Sequence, residues 1–484
     1  MISHAPFPLL IALLAMLAFT PSTAIAAGGQ SARLGLPVKT LLLTPPGTWT
    51  LLERQLFSAL YDTPVELDSN GDPTPHAAIN VAHDYENLNW ILTLHPGLRW
   101  SDGSPVSAEQ VIAGWEFTIR RHPLNAPAFG VIQGYSEFVA DATEHLTGVS
   151  APDATHIQIA LRREEARFAT RLADPSFALC RGTVTRQGEA DSWVESMGGT
   201  GPYRVDNLVG HSLTLLRNEF YLGGTPRLAR WDWQLLGSAD AVARSYLAGR
   251  LDVAPLAADQ TPMFKENHQY SRQLVDRRTT TTIGLVWNPR GREKGNGTLR
   301  QRFLELVDAR SIRTLTLVGE ADAVRGHFSE RLGLPSPPSS SLSPGEPFEV
   351  VFAVPTGARD LRAIADRLAL AGPADSNAWR IRIVERSERQ LLQPGSDWDV
   401  ALWMLPGAVQ PALAEGADFI ALWDHWGANK SEATAWDEER RRIAQAEWLP
   451  IVHPRFLWLR QSRLSGLIAG PATTLAWDRA GWED

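Results

Sequence analysis

Cysteine is almost missing from this chain: among 484 residues there is one, Cys180. No internal disulfide can form, and chemistry that needs paired thiols is excluded with it. Cys180 reads as a small buried hydrophobe. Blocks of positive charge are missing too. The formal net charge is −8 and the basic residues, nearly all Arg, are scattered, which argues against a nucleic-acid partner. Catalytic signatures are lacking. There is no G-x-S-x-G, since Gly210-His211-Ser212 is incomplete and falls in an expected hairpin. There is no H-E-x-x-H, and the 12 histidines show no ligand-like spacing. These absences weigh against a hydrolase or a metalloenzyme, and no enzyme activity and no cofactor are expected.

Long apolar runs are limited to Leu9–Phe19, too short to span a bilayer. Followed by Ala24-Ile25-Ala26, it reads as the core and cleavage site of a signal peptide over residues 1–26, although no Lys or Arg precedes it. No Cys stands at the cleavage site, so the expected product is periplasmic and not lipid-anchored. The length allows two or three domains with substantial cores. Tryptophan is abundant, at 18 residues, which suits core packing or an apolar pocket wall.

The most informative stretch is Asn89 to Arg120. Trp90, Leu92 and Leu94 alternate with Ile91, Thr93 and His95, a half-buried strand stopped by Pro96-Gly97. Ser101-Asp102-Gly103-Ser104-Pro105 is a turn. Ser107 and Gln110 form a capping box, and an amphipathic helix carries Val111, Trp115 and Ile119 to Arg120-Arg121. The spacing further predicts strands over 38–43, 156–161 and 398–404, and helices over 51–61 and 435–448. It also predicts a hairpin turn over 68–75, a surface loop over 333–347, and a strand–helix–strand unit over 348–384 with a parallel pair.

The run G-L-R-W-S-D-G-S-P-V-S-A-E-Q-V resembles the signature of the family 5 extracellular solute-binding proteins, the peptide- and nickel-binding receptors of ABC importers. G-T-G-P-Y at Gly199–Tyr203, L-x-L-x-x-N-x-x-Y at Leu213–Tyr221 and G-R-L-D at Gly249–Asp252 resemble later landmarks. Residues 282–289 and 449–453 resemble strands of that family, and 299–312 a helix. The resemblance is patchy after Ile312, where the chain is shorter than the family norm. It implies an α/β fold of the periplasmic-binding-protein type (type II, cluster C): a two-lobe Venus flytrap with an extra N-terminal subdomain. The expected division is lobe I at 27–62, 162–283 and 465–484, subdomain Ib at 63–161 and lobe II at 284–464.

The same resemblance implies what the protein does. A peptide or peptide-like ligand is expected between the lobes, with delivery by a monomer to an ABC permease in the inner membrane. The turn places Thr200, Gly201 and Tyr203 at the cleft, the first-strand loop places Trp49 there, and Trp287 and Asn288 lie at the lobe crossing. In Trp398–Pro411 the cleft positions fall on Trp403, Met404, Leu405 and Ala408. Peptide receptors carry an acid where Ala408 stands, to pair with the peptide α-amine, because a buried ammonium is costly alone. Asp399 matches a structural aspartate instead. The missing acid points to a ligand blocked, acidic or less polar at that end. Two alternatives stay open: a sensor of the same fold not coupled to import, and a nickel- or haem-type binding protein.

Overall fold

The computed structural model describes residues 30–483 except 46–50, 69–71, 85–87, 122–126, 293–295, 318–320, 324–347, 356–358, 371–378, 387–390, 392–396, 406–440, 468–474 and a few breaks of one or two residues. The signal segment, Trp49, Ala408 and the 333–347 loop lie outside the described residues. No helix among the described residues is long and apolar enough to cross a membrane.

In chain order the strands of the first part are β1 (Ser31–Leu36), β2 (Thr40–Leu43), β3 (Val65–Leu67), β4 (Pro73–Pro75), β5 (Ala78–Asp84), β6 (Asn89–Leu94), β7 (Val149–Ser150) and β8 (His156–Ala160). Alternation in the signature run works as its spacing predicts. Trp90, Leu92 and Leu94 of β6 are buried, and β6 lies inside a four-stranded sheet of order β5-β6-β8-β7. Gly103 takes a left-handed φ of 87°, and Asp102 Oδ1 accepts the Ser104 N–H at 2.9 Å. Both halves of the capping box form: Ser107 N–H donates to Gln110 Oε1 at 3.1 Å and Gln110 N–H to Ser107 Oγ at 3.4 Å. Trp100 Nε1 donates to the same Gln110 oxygen at 3.0 Å, so the cap also fixes the turn. The helix Ala108–Arg121 then buries Val111, Gly114, Trp115, Thr118 and Ile119 along one stripe.

Next come β9 (Cys180–Glu189), β10 (Ser192–Gly199), β11 (Tyr203–Val209), β12 (Ser212–Arg217), β13 (Arg230–Leu235), β14 (Val253–Pro255), β15 (Leu274–Arg278), β16 (Thr282–Trp287) and β17 (Ala321–Ala323). The last long strands are β18 (Phe348–Pro355), β19 (Trp379–Arg386), β20 (Val400–Leu405) and β21 (Trp448–Arg460). Twelve strands form one sheet of order β11-β12-β13-β1-β14-β21-β16-β20-β18-β19, with β15 and β17 also on β21. A smaller sheet runs β2-β10-β9. The strand–helix–strand unit is present: β18 and β19 are parallel, joined through the helix Arg359–Leu370.

Three structures differ from expectation. The helix over 299–312 is two pieces, Gly297–Glu305 and Ala309–Ser311, because Asp308 caps a new start by accepting the Ser311 N–H at 3.0 Å. The closing strand extends over thirteen residues, not five. Pro450 and Pro454 read as breakers in sequence, but Pro450 sits beside a register shift and Pro454 where β21 changes partners. Of the 435–448 helix, the described part is helical at 441–444 only, and Trp448 already belongs to β21.

Three large cores separate. One gathers β1, β2, β11–β13 and the C-terminal segment, where Trp477 packs edge-on against Trp231 at 5.2 Å. A second encloses the signature helix and runs from Val65 to Leu179. A third lies between β16, β18, β20 and the helix Arg359–Leu370.

Where the first two bodies meet, His76 is largely buried with Nε2 3.0 Å from Asp62 Oδ1 and 3.4 Å from Glu66 Oε1. Burial pulls the imidazole pKa down, but the Asp62 carboxylate, its hydrogen bond, Glu66 and Asp478 outweigh burial and push it up to about 9. A raised histidine pKa stabilises fully below its unfolded value and stops stabilising as pH rises through the folded one. His76→Gln is therefore expected to cost stability at pH 6 and almost none at pH 10. Urea midpoints of both proteins across that range measure the convergence.

Candidate functional site

Two segments join the halves of the large sheet. One is the link from β15 into β16, in which Thr279 and Thr281 are described. The other is β21, which runs without interruption: its residues 448–454 pair with β16 and β17, and 455–460 with β14 and β15. The polar groups at this crossing tie the two segments together. Thr279 Oγ1 donates to the Pro454 carbonyl at 2.5 Å, and His453 Nδ1 hydrogen-bonds the Thr281 carbonyl at 2.8 Å. Arg455 spans the change of partner. Its Nε meets Asp276 of β15 at 2.5 Å and its Nη1 meets Asp322 of β17 at 3.5 Å. Lys265 reaches Asp276 at 3.3 Å and Arg278 reaches Asp322 at 3.6 Å. Sequence reasoning missed this network, since bonded partners in it, Arg455 and Asp276, lie 179 residues apart.

The expected site residues fall into two groups. Thr200, Gly201 and Tyr203 sit in the first body, around Asn218. Asn218 Nδ2 donates to the carbonyls of Thr200 at 3.3 Å and Gly201 at 2.9 Å. Gly201 presses on the backbone of Leu60 and Tyr61, where a Cβ would come within 2.5 Å. Thr200 is buried, and its Oγ1 has no hydrogen-bond partner among the described residues. Tyr203 is buried with its hydroxyl donating to the Leu228 carbonyl at 3.0 Å, and burial pushes its pKa upward.

Trp287, Asn288, Trp403, Met404 and Leu405 sit in the second body. Trp287 is buried against Phe303, edge-on at 5.6 Å. Asn288 is buried with Nδ2 donating to the Trp398 carbonyl at 2.9 Å. Trp403, Met404 and Leu405 lie in β20 opposite Gly284, Ile283 and Thr282 of β16. Asp399 has the structural role its motif implies. It is 2% exposed, takes two hydrogen bonds from Arg292 at 2.8 and 3.0 Å on different oxygens, and accepts the Val351 N–H at 2.8 Å. A cavity of about 690 Å³ is lined by Tyr203, alone among the described expected contacts, and by no described residue of the second body.

These features match a known architecture. A profile of the bacterial extracellular solute-binding proteins, family 5 (middle region), covers residues 72–361. The chain belongs to this family. This family 5 chain is 24% identical to the periplasmic murein peptide-binding protein MppA of Escherichia coli (strain K12) over 301 residues, 59% of this chain and 54% of that protein. It is 24% identical to the probable deoxycholate-binding periplasmic protein YgiS of the same strain over 233 residues, 46% of this chain and 43% of that one. It thus spans about half the length of these curated relatives. Among solved structures it resembles the pheromone receptor PrgZ (TM-score 0.76, 16% identity, 94% of this chain and 100% of that one). It also resembles E. coli MppA (TM-score 0.74, 16% identity, 94% and 97%). The family 5 fold, α/β with two lobes, is that of the periplasmic binding proteins.

Proposed function

We propose that this chain is the periplasmic receptor of an ABC importer, gripping a peptide or peptide-like ligand between two lobes and handing it unchanged to an inner-membrane permease. In this reading residues 1–26 are a cleaved signal peptide and the mature protein is a soluble monomer without a lipid anchor. Lobe I comprises 27–62, 162–283 and 465–484, subdomain Ib 63–161 and lobe II 284–464. The ligand contacts are Trp49, Thr200, Gly201, Tyr203, Trp287, Asn288 and the 403–408 segment.

The observation that carries the reading is the crossing. Separate cores flank a joint of two strand segments, which permits one body to rotate against the other. Ligand drives closure only if it touches both bodies in the closed form. The names of the relatives support the ligand class: a murein peptide-binding protein and a peptide-binding pheromone receptor stand among them.

Ala408, in place of an acid, narrows the class to ligands blocked, acidic or less polar at the amino end. Calorimetry with free and N-acetylated di- and tripeptides, paired with small-angle scattering, tests both claims. N-blocked peptides are expected to bind and shrink the radius of gyration. Micromolar binding of ordinary free peptides would overturn the blocked-ligand claim alone. Binding without compaction would overturn the clamp.

A further inference from the structure

Adjacent residues of β21 serve different bodies. Arg455 stands opposite Arg278 of β15, in the first body, and Pro454 stands opposite Ala321 of β17, in the second. Two arginines thus face each other across paired strands, which weakens the pairing unless carboxylates lie close by. Each body supplies one. Asp276 of β15 takes Arg455 Nε at 2.5 Å on one oxygen and Lys265 Nζ at 3.3 Å on the other. Asp322 of β17 takes Arg455 Nη1 at 3.5 Å on Oδ1 and Arg278 Nε at 3.6 Å on Oδ2. His453, opposite Asp322, hydrogen-bonds the Thr281 carbonyl at 2.8 Å.

The two carboxylates differ in what they hold. Asp276 is tied down within the first body. Asp322 has no ion pair within the second body among the described residues. Its partners are Arg278 in β15 and Arg455 in the stretch of β21 that pairs with β14 and β15. Both distances exceed the about 2.7–2.9 Å of a tight charge-assisted bond, so this bridge is free to shorten or to part as the bodies turn. We infer that Asp322 is an electrostatic catch on the joint. Its bridge to Arg278 and Arg455 favours the arrangement of the two bodies described here, and its loss moves weight to other arrangements. The inference rests on the proposed clamp, since a catch acts only between bodies that move. It gives a residue outside the expected ligand contacts control over the ligand-free equilibrium, and through it over the fraction of protein ready to bind.

Distances between two spin labels test this in the ligand-free protein. Val209→Cys labels the first body and Leu370→Cys the second; the parent side chains are 69% and 85% exposed, and the buried Cys180 stays unlabelled. In that labelled background Asp322→Asn is expected to lower the ratio of the arrangement described here to all others about threefold, the worth of partly exposed ion pairs. Salt at about 1 M should do the same without the substitution and little after it, because it screens the same bridge. Asp397→Asn removes an acid of the second body that pairs with Arg386 at 2.8 Å, and it should leave the ratio unchanged. A broad or two-peaked distribution that neither Asp322→Asn nor salt alters would overturn the catch and leave the clamp standing. An equal shift in Asp397→Asn would also overturn the catch. A single narrow distance in every sample would overturn both catch and clamp. Asparagine keeps the shape of a side chain that is 27% exposed, and the salt arm needs no substitution at the joint, so misfolding cannot imitate the expected result.

Discussion

Asp399→Ala is expected to destabilise the second lobe by about 3 kcal/mol and, through that loss, to weaken the ligand binding proposed for the interlobe cleft. The carboxylate is 2% exposed and joins three elements. It holds Arg292 with two hydrogen bonds and caps the Val351 N–H of β18 at 2.8 Å. The backbone of the same residue receives the Asn288 N–H at 2.9 Å and donates to the Val351 carbonyl at 2.9 Å. Alanine leaves the buried Val351 N–H without its acceptor and removes the Asp399 carboxylate from Arg292. Removing one partner of such a pair costs more than the pair was worth, because the other group stays behind. Asn288, an expected ligand contact at the strand crossing, then loses its fixed neighbour. Asparagine should do less harm, since one oxygen can still accept from Val351. Urea unfolding followed by tryptophan fluorescence measures the stability, and calorimetry the binding. A cost under about 1 kcal/mol would mean the bridge behaves as a surface pair. Arg292, half in solvent, is the reason that outcome is a real competitor.

How much of this could be read from sequence follows the range of the forces involved. The signature run was legible from strand to cap because each device acts within a few residues: alternation in β6, an Asp-Gly turn, Ser107 with Gln110. The parallel β18–β19 pair was legible too, because a helix of the right length lies between two apolar runs. β1 was not. Ser31–Leu36 is short, and it becomes a strand by pairing with β13 about two hundred residues away. The full length of β21 was hidden by its two prolines, which local rules read as ends. The Arg455 bridge was hidden for the same reason as β1: an isolated arginine shows no partner until the sheet is assembled. At the candidate site, sequence located the segments but not the side-chain burial. Trp287 and Tyr203 are packed inside their own bodies, a fact that depends on Phe303 and Leu228.

Gly114→Ala is expected to reverse the usual helix rule. In an exposed helix interior this exchange stabilises by about 1 kcal/mol. In this helix an added Cβ would stand 1.9 Å from the Cys180 carbonyl oxygen, which is backbone of β9 and cannot swing aside. The helix Ala108–Arg121 must then lift from β9, at a cost of about 1–3 kcal/mol or more. The only cysteine reports the movement. Cys180 is 1% exposed and burial pushes its thiol up to about 12, so in the parent it resists thiol reagents at neutral pH. In the variant the reagent should reach it at least about fivefold faster, since each 1.4 kcal/mol off the opening free energy is a factor of ten. Gly182→Ala is the control on the same contact. Its Cβ would meet Phe117 Cβ at 3.6 Å, an ordinary van der Waals distance. It should leave labelling and melting temperature near the parent values. Equal labelling in the Gly114 variant, with no loss of melting temperature, would show that the helix does not press on the β9 backbone. The signature helix would then lack its anchor to the first lobe.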